Sequence, residues 1–474
     1  MDAWTYSEAC VARHLCAPFE CLYIPAPKVM KMGESHGRTG IELSLALLGI
    51  AVVTFGLSYG LNVLLARNLS TEVYGNLVFA FRILGAVSAL SLLGTGTSAT
   101  RFLARYLHYQ STDSVESFLR WNTRIIRWPF LLTVTIGVTT CLAMFCVDLF
   151  GFRGVQTYHL AVFMLWIAPL FSIVQLLSAY LLCAGHPIVS TISSQLMVLG
   201  VQLVLFSTIF IVFGLQASRL WITGVIGASA LFAMVIQIVV LHRSTPVHIL
   251  DLWPRREAKS LEARSEWLSV SLWLIVGQLV AQAALLIDVS LLEAAPGREN
   301  QLGYYGAALS ITYLLFIVPR SMLSPLAAKV SSLLDSAEKL GQLQDEIDRA
   351  VRTHVLLVVL LAFPMVFFSK ELLASFGTGY EAAQIVLFIS IGTALVSALG
   401  GSALTVIRRS DMEKRLLGIY VMDLLVLLVL GAVLVGPFGM TGVATALLCS
   451  AVARTAGTVF SVRRRYGIKP LSFI

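Results

Sequence analysis

Polar side chains that interrupt long apolar stretches are the residues of this sequence best suited to do chemistry. A charge in hydrocarbon is unfavourable by several kcal/mol unless it is paired or reached by water, so each one marks a candidate functional site. The residues of this kind are Asn62, Arg82, Asp288, Arg320, Asp423 and Arg454.

Arg82 and Arg320 have the chemistry of an anion site. A guanidinium stays charged and its planar fork of N–H groups matches a phosphate, so we predict that both contact a phosphate or pyrophosphate in a water-filled central cleft. Asp288 either pairs with an arginine at rest or binds a coupling proton or sodium ion, and Asn62 completes this predicted substrate-binding set. The structural alternative is that these side chains reach the membrane interface or form an internal pair.

A second pair, Asp423 and Arg454, is predicted either to take part in ion coupling or to be structural. The cysteines of the N-terminal tail, Cys10, Cys16 and Cys21, match no standard zinc spacing. These cysteines therefore predict no metal site. We also expect no catalytic residues and no cofactor other than a coupling H⁺ or Na⁺, and we predict that the chain is not an enzyme.

The composition identifies the elements that position these residues as membrane helices. Hydrophobic residues make up 57% of the 474 residues and charged residues only 13%, whereas soluble domains are about 25% charged. The sequence is therefore predicted to be an all-α polytopic membrane protein. Windows of about 19 residues predict twelve transmembrane helices, near 43–65, 76–98, 127–149, 157–183, 188–213, 219–241, 267–292, 303–326, 353–370, 381–405, 416–436 and 440–461.

The basic residues predict the orientation of these helices. Most of the 34 Lys and Arg residues fall on one set of alternating segments, and the opposite loops hold few, namely Arg67, Arg153, Arg219, Arg298 and Lys370. Positive segments face the cytoplasm, so we expect both termini inside a cytoplasmic (inner) membrane. This clustering between apolar stretches also argues against a nucleic-acid partner. The run 101–121 is predicted to form an amphipathic helix at the inner surface.

The helices fall into two similar sets. Tyr74-Gly75 follows the first helix and Tyr305-Gly306 follows the seventh, and a Phe-Gly pair near a Thr-Gly pair marks both the sixth and the twelfth. Two six-helix lobes related by a pseudo-two-fold axis along the membrane normal would explain this repeat. The predicted regions are a cytoplasmic tail (1–41), an N-lobe (42–241), a cytoplasmic linker (242–266), a C-lobe (267–461) and a basic cytoplasmic tail (462–474).

Several motifs occur in an order that resembles one family. They are Ala66 to Gly75, Gly94 to Tyr106, Asp288 with Leu302 to Ala308, Phe376 to Ala383, and Gly439 to Ala444. In these the chain resembles the polysaccharide-biosynthesis flippases, including the O-antigen flippases, of the multidrug/oligosaccharidyl-lipid/polysaccharide exporter (MOP) superfamily. The resemblance implies two lobes around a central cleft that move a polyprenyl-pyrophosphate-linked oligosaccharide outward for cell-surface polysaccharide synthesis. It also implies lipid-linked oligosaccharide, membrane lipids, and the polysaccharide polymerase and chain-length machinery as partners.

Other functions remain open at this point. A cation-coupled multidrug exporter of the same superfamily would favour a cleft rich in carboxylates and aromatic residues, whereas arginines are at least as numerous here. A membrane glycosyltransferase would need acidic catalytic residues on a large loop, and the predicted outer loops are short. A membrane scaffold without transport activity is the third alternative.

Overall fold

The computed structural model describes residues 38–108, 112–149, 159–212, 219–244, 261–296, 299–334, 339–410 and 412–471. The N-terminal tail with its three cysteines and the segment 245–260 lie outside these ranges. Helices are the only regular secondary structure in the described residues.

The described residues of the first half form eight α-helices. These are α1 (Arg38–Asn68), α2 (Thr71–Ser91), α3 (Thr95–His108), α4 (Thr112–Leu149), α5 (His159–Cys183), α6 (Pro187–Thr191), α7 (Met197–Ser207) and α8 (Arg219–Ser244). One-turn π-helices, Ile192–Leu196 and Thr208–Val212, continue α6 and α7, so that Pro187 to Val212 forms one membrane pass. The run 101–121, predicted as one amphipathic helix, is divided between two helices: α3 ends at His108, and residues 112–121 belong to the membrane helix α4.

The described residues of the second half form six α-helices. These are α9 (Leu261–Glu293), α10 (Glu299–Leu333), α11 (Leu340–Phe367), α12 (Ser369–Ala374), α13 (Gln384–Arg409) and α14 (Glu413–Tyr466), with a 3-10 turn at Tyr380–Ala383. The longest helix, α14, is broken at Gly439, where φ is 57° and ψ is −131°. Glycine adopts this backbone conformation without steric cost.

The predicted number of membrane passes agrees with the structure. Nine helices in the described ranges are long and apolar enough to cross a membrane. One of them, α14, folds back at Gly439 so that Gly431 faces Ala446 and Gly457 faces Met422, and therefore makes two passes. Helices α9 and α10, of 33 and 35 residues, cover the seventh and eighth predicted passes. The described residues thus account for a multi-pass membrane protein of about twelve helices.

The hydrophobic core shows how the two halves meet. One large cluster includes Leu65 and Leu77 from the first half together with Leu302, Leu315 and Leu387 from the second. Leu65, Leu77, Leu302 and Leu387 lie toward the helix ends predicted to face outward, and Leu315 lies in the middle of its predicted pass. At the opposite ends, each half has its own cluster, one around Phe102 and Phe118 and another around Ile347 and Val406. The halves therefore share a core on the predicted outer side and have separate cores on the predicted inner side.

Helix α9 is an exception to this separation. Its first part enters the inner cluster of the first half, where the Trp267 indole donates a hydrogen bond to the Tyr106 hydroxyl at 3.0 Å. Its last part contacts α2 and α14. One helix of the second half therefore contacts the first half at both membrane faces.

Candidate functional site

Arg82 and Asp288 come together where α2 of the first half meets α9 of the second. Asp288 is only 3% exposed, and both of its carboxylate oxygens accept hydrogen bonds. The Tyr305 hydroxyl donates to Oδ2 at 3.1 Å, and the Val289 backbone N–H donates to Oδ1 at 2.8 Å. The Arg82 guanidinium lies close enough for its charge to act on both Asp288 and Tyr305.

Arg82 itself keeps its hydrogen-bonding capacity. It is half-buried, and among the described residues no hydrogen bond or ion pair engages its guanidinium. The nearby carboxylate attracts it but is already held by Tyr305 and Val289. The arrangement therefore offers a set of free N–H donors to an anion at the junction of the two halves.

The bond between Tyr305 and Asp288 has a counterpart in the first half. There the Tyr74 hydroxyl donates to Asn62 Oδ1 at 3.0 Å. In both halves the tyrosine lies near the start of the second helix, directly before a glycine, and its partner lies near the end of the first helix. This repeat supports the predicted duplication and explains Asn62, whose amide N–H also donates to the Ser58 carbonyl at 2.8 Å.

Glycines allow α2 and α10 to approach closely beside this site. A Cβ placed on Gly75 would lie 2.8 Å from the Gly303 backbone nitrogen, and one on Gly306 would lie 2.6 Å from Val78 Cγ2. A Cβ on Gly303 would overlap the Thr71 carbonyl oxygen. We call this close contact, made by Thr71, Gly75 and Val78 with Gly303 and Gly306, the glycine seam.

Aromatic residues surround the glycine seam. Tyr59 and Tyr74 of the first half lie against Phe376, and Tyr74 also lies against Tyr380. The Tyr59 hydroxyl is 2.7 Å from the Ser375 hydroxyl, and Arg67 Nε donates to the Ser375 carbonyl at 2.6 Å. The motif around Tyr74 and the motif from Phe376 to Tyr380, which are separate in the sequence, therefore form one contact between the halves.

The other predicted residues lie elsewhere. Arg454 and Asp423 form an ion pair within α14, with 2.8 Å between Nη1 and Oδ2, and Arg454 Nη2 donates to the Ser397 hydroxyl at 3.4 Å. The second carboxylate oxygen of Asp423 is buried and finds no hydrogen-bond partner in the described residues. Arg320 lies in α10, but its side chain is outside the described part of the structure.

Sequence reasoning missed Tyr305 as a site residue. It appeared only as a landmark of the repeat, because a scan for charges in apolar segments passes over a phenol. The available signal was that Tyr74 and Tyr305 each precede a glycine at the start of the second helix of a half.

We expect Tyr305→Phe to lower thermal stability more than Tyr74→Phe does. The first change removes a donor from a fully buried carboxylate, and the second removes one from a neutral amide oxygen. Leaving a buried charged acceptor short of a partner costs about 1–3 kcal/mol or more, and a neutral one costs less. The check is the melting midpoint of the purified variants. Equal midpoints for the two would contradict the role given to Tyr305.

A protein-family comparison identifies the chain. The family model described as polysaccharide biosynthesis protein matches residues 43–331, which is more than half of the sequence. The chain belongs to this family. No curated protein sequence matches the chain.

Solved structures show the fold of this polysaccharide-biosynthesis protein. An inward-facing multidrug-resistance MATE transporter of the MOP superfamily is similar with a TM-score of 0.70 at 16% identity, covering 90% of this chain and 99% of the other. An outward-facing structure of such a transporter is similar with a TM-score of 0.64 at 15% identity, covering 90% of this chain and 95% of the other. A MOP-superfamily transporter from Pyrococcus furiosus is similar with a TM-score of 0.61 at 15% identity, covering 90% of this chain and 95% of the other. That transporter is described as having a binding pocket of reversed polarity. The predicted superfamily fold is therefore confirmed.

Proposed function

We propose that this protein is a flippase that moves a polyprenyl-pyrophosphate-linked oligosaccharide across the cytoplasmic membrane by alternating access. Family membership and the transporter fold support a membrane transporter and not an enzyme. The finer proposal, the identity of the cargo, rests mainly on one observation. The Arg82 guanidinium, which no described residue bonds, lies at the junction of the two halves, beside a carboxylate whose oxygens are already hydrogen-bonded.

The chemistry of the cargo fits such a site. A pyrophosphate offers several anionic oxygens, which a guanidinium can bind with two parallel hydrogen bonds. The separate cores on the predicted inner side would give the lipid-linked cargo access from the cytoplasmic leaflet, while the glycine seam holds the predicted outer side closed. Release outward requires the seam to part. Asp288 in this scheme is held by Tyr305 and Val289 and attracts Arg82 without bonding it, so the guanidinium N–H groups stay available to the pyrophosphate.

An inward coupling gradient would supply the energy for net export. Asp288 and Asp423 are the buried carboxylates within membrane helices that the described residues offer to a proton or a sodium ion. The Asp423–Arg454 pair leaves one carboxylate oxygen without a partner, which makes it the second candidate for coupling. Polysaccharide polymerase and chain-length proteins are the partners proposed to receive the exported glycan.

A multidrug exporter is the second candidate, because the similar solved structures are described as multidrug-resistance transporters. A reconstituted assay separates the two functions. Purified protein in vesicles is given either a fluorescent polyprenyl-pyrophosphate oligosaccharide or an organic cation. We expect movement of the first only. Movement of the cation alone would replace the flippase by the drug exporter, and movement of neither would favour the scaffold.

The proposed orientation can be tested by thiol labelling. In a variant with serine at the seven native cysteine positions, Lys370→Cys should react with an impermeant maleimide added to intact cells. Arg464→Cys should react only after permeabilisation, because the basic ends of the helices are predicted to face the cytoplasm. Both side chains are exposed. The reverse pattern of labelling would invert the topology.

A further inference from the structure

Many exposed cations lie at the predicted inner end of the second half, and we call this surface the basic rim. Three chain segments meet there: the end of α13, the start of α14 and the end of α14, joined by a core that includes Ile407, Met412, Ile419 and Val462. The cations they expose are Arg408, Arg409, Lys414, Arg415, Arg463, Arg464 and Arg465. The acidic residues in the sequence of these segments are Asp411 and Glu413.

The cations at the end of α14 form no ion pair with a described residue. Within the described ranges no carboxylate pairs with Arg463, Arg464 or Arg465. No described carboxylate therefore takes up their charge, and cations outnumber acids in these three segments.

This rim is held in place by specific contacts. Arg408 donates to the Tyr420 hydroxyl through Nε at 3.2 Å and Nη2 at 2.5 Å. After α14 the chain turns at Gly467, and Gln344 of α11 bonds both the N–H and the carbonyl of Lys469, at 2.7 and 2.8 Å. A cationic surface fixed in this way binds an anion with less loss of freedom than a frayed helix end would.

Exposed apolar side chains continue from the cations along the same helix faces. In the second limb of α14, Val452, Ala456 and Phe460 are exposed at intervals of four residues, and Arg463 and Arg464 follow on that face. Val452 is 48% and Phe460 63% exposed. In the first limb, Lys414 is followed on one face by the exposed Gly418, Val421 and Leu425.

We propose that this surface, the basic rim with its two apolar stripes, binds anionic phospholipids of the inner leaflet. The partner that matches a cationic end joined to an apolar stripe is an amphiphile with an anionic headgroup and hydrocarbon chains. The cations bind the phosphodiester and the stripe lies along the chains. This site is separate from Arg82 and does not depend on the identity of the transported cargo.

The test uses the full-length protein purified in a neutral detergent. Phosphatidylglycerol should raise the melting midpoint by about 3 °C more than phosphatidylcholine with the same acyl chains, because a ligand that binds only the folded state stabilises it. The variant Arg463→Gln/Arg464→Gln/Arg465→Gln should lose this difference between the two lipids. The measured quantity is the difference between the melting midpoints of one variant in the two lipids. A variant that is less stable without lipid can therefore still be compared with wild type.

Two further variants make the result specific. Arg463→Lys/Arg464→Lys/Arg465→Lys keeps the charge and should keep the phosphatidylglycerol effect. Arg124→Gln/Arg127→Gln removes exposed cations from α4, at another point on the protein surface, and should also keep it. Loss of the effect in the α4 variant would indicate diffuse attraction and overturn the proposed site. The proposed site would also be overturned if the phosphatidylglycerol effect persisted in the triple Gln variant, or if inorganic phosphate alone raised the melting midpoint equally.

Discussion

Replacing Arg82 with alanine is expected to lower the rate of lipid-linked oligosaccharide transport by about 100-fold. Each hydrogen bond between a guanidinium and a phosphate contributes about 1.5–3 kcal/mol, and a factor of ten corresponds to about 1.4 kcal/mol. The loss of two such bonds therefore reaches this magnitude. No described residue bonds the guanidinium in the present conformation, so stability should change little. The measurement is the initial rate of flipping in vesicles.

Two variants act as controls for the Arg82 prediction. Arg82→Lys keeps the charge but loses the planar fork, so its rate should lie between wild type and Arg82→Ala. Arg124→Ala removes an exposed arginine from α4 and should leave transport unchanged. A wild-type rate for Arg82→Ala would remove this residue from the site. An Arg82→Ala protein that melts far below wild type would instead assign Arg82 a structural role.

Substituting Gly75 with alanine is expected to disrupt the closed outer side. Its Cβ would lie 2.8 Å from the Gly303 backbone nitrogen and 3.2 Å from Leu302 Cβ. The Gly303 nitrogen belongs to the backbone and cannot move away by a change of rotamer, so α2 and α10 must separate. Overpacking of this kind costs about 1–3 kcal/mol. We expect a lower melting midpoint and greater reactivity of a cysteine placed at the seam toward an external thiol reagent.

Gly85→Ala is the matched control for Gly75→Ala. Both glycines lie in α2, but nothing lies within 4 Å of a Cβ on Gly85. Alanine is favoured over glycine in a helix by roughly 0.5–1 kcal/mol, so this variant should melt at or above the wild-type midpoint. If both substitutions had the same effect, the contact at Gly303 would not be what holds the halves together.

The membrane helices were largely predictable, because apolar length is a strong signal. Helices α4 and α11 nevertheless begin well before the predicted starts at 127 and 353, at Thr112 and Leu340. In α11 the added turns are amphipathic: Leu343, Ile347 and Val351 recur at intervals of four residues and are buried. Polar residues on the opposite face lower the mean hydropathy of a window, so a hydropathy scan places the start of the helix too late in the chain.

The candidate site was predictable only in part. The charges of Arg82 and Asp288 are visible in apolar sequence, and a two-lobed fold suggests that they approach each other. The hydrogen bond from Tyr305 is different, because it depends on how α9 and α10 pair along their length. The contact of Tyr59 and Arg67 with Ser375 joins residues that are more than 300 positions apart. No pattern within a short stretch of sequence indicates a contact between residues so far apart.

A disulfide across the glycine seam should show whether transport requires the two halves to separate there. A Cβ on Gly306 would lie 3.3 Å from Val78 Cβ, close to the spacing of about 3.5–4.5 Å found in disulfides. The control pair, Gly400→Cys/Thr455→Cys, joins α13 to α14 within the second half at a similar spacing of 3.1 Å. Both pairs are placed in the cysteine-free variant.

We expect that oxidation of Val78→Cys/Gly306→Cys stops flipping of the lipid-linked oligosaccharide and that reduction restores it, while the oxidised control pair continues to transport. Continued transport with the seam fully cross-linked would contradict the proposal that the two halves separate there to release the cargo.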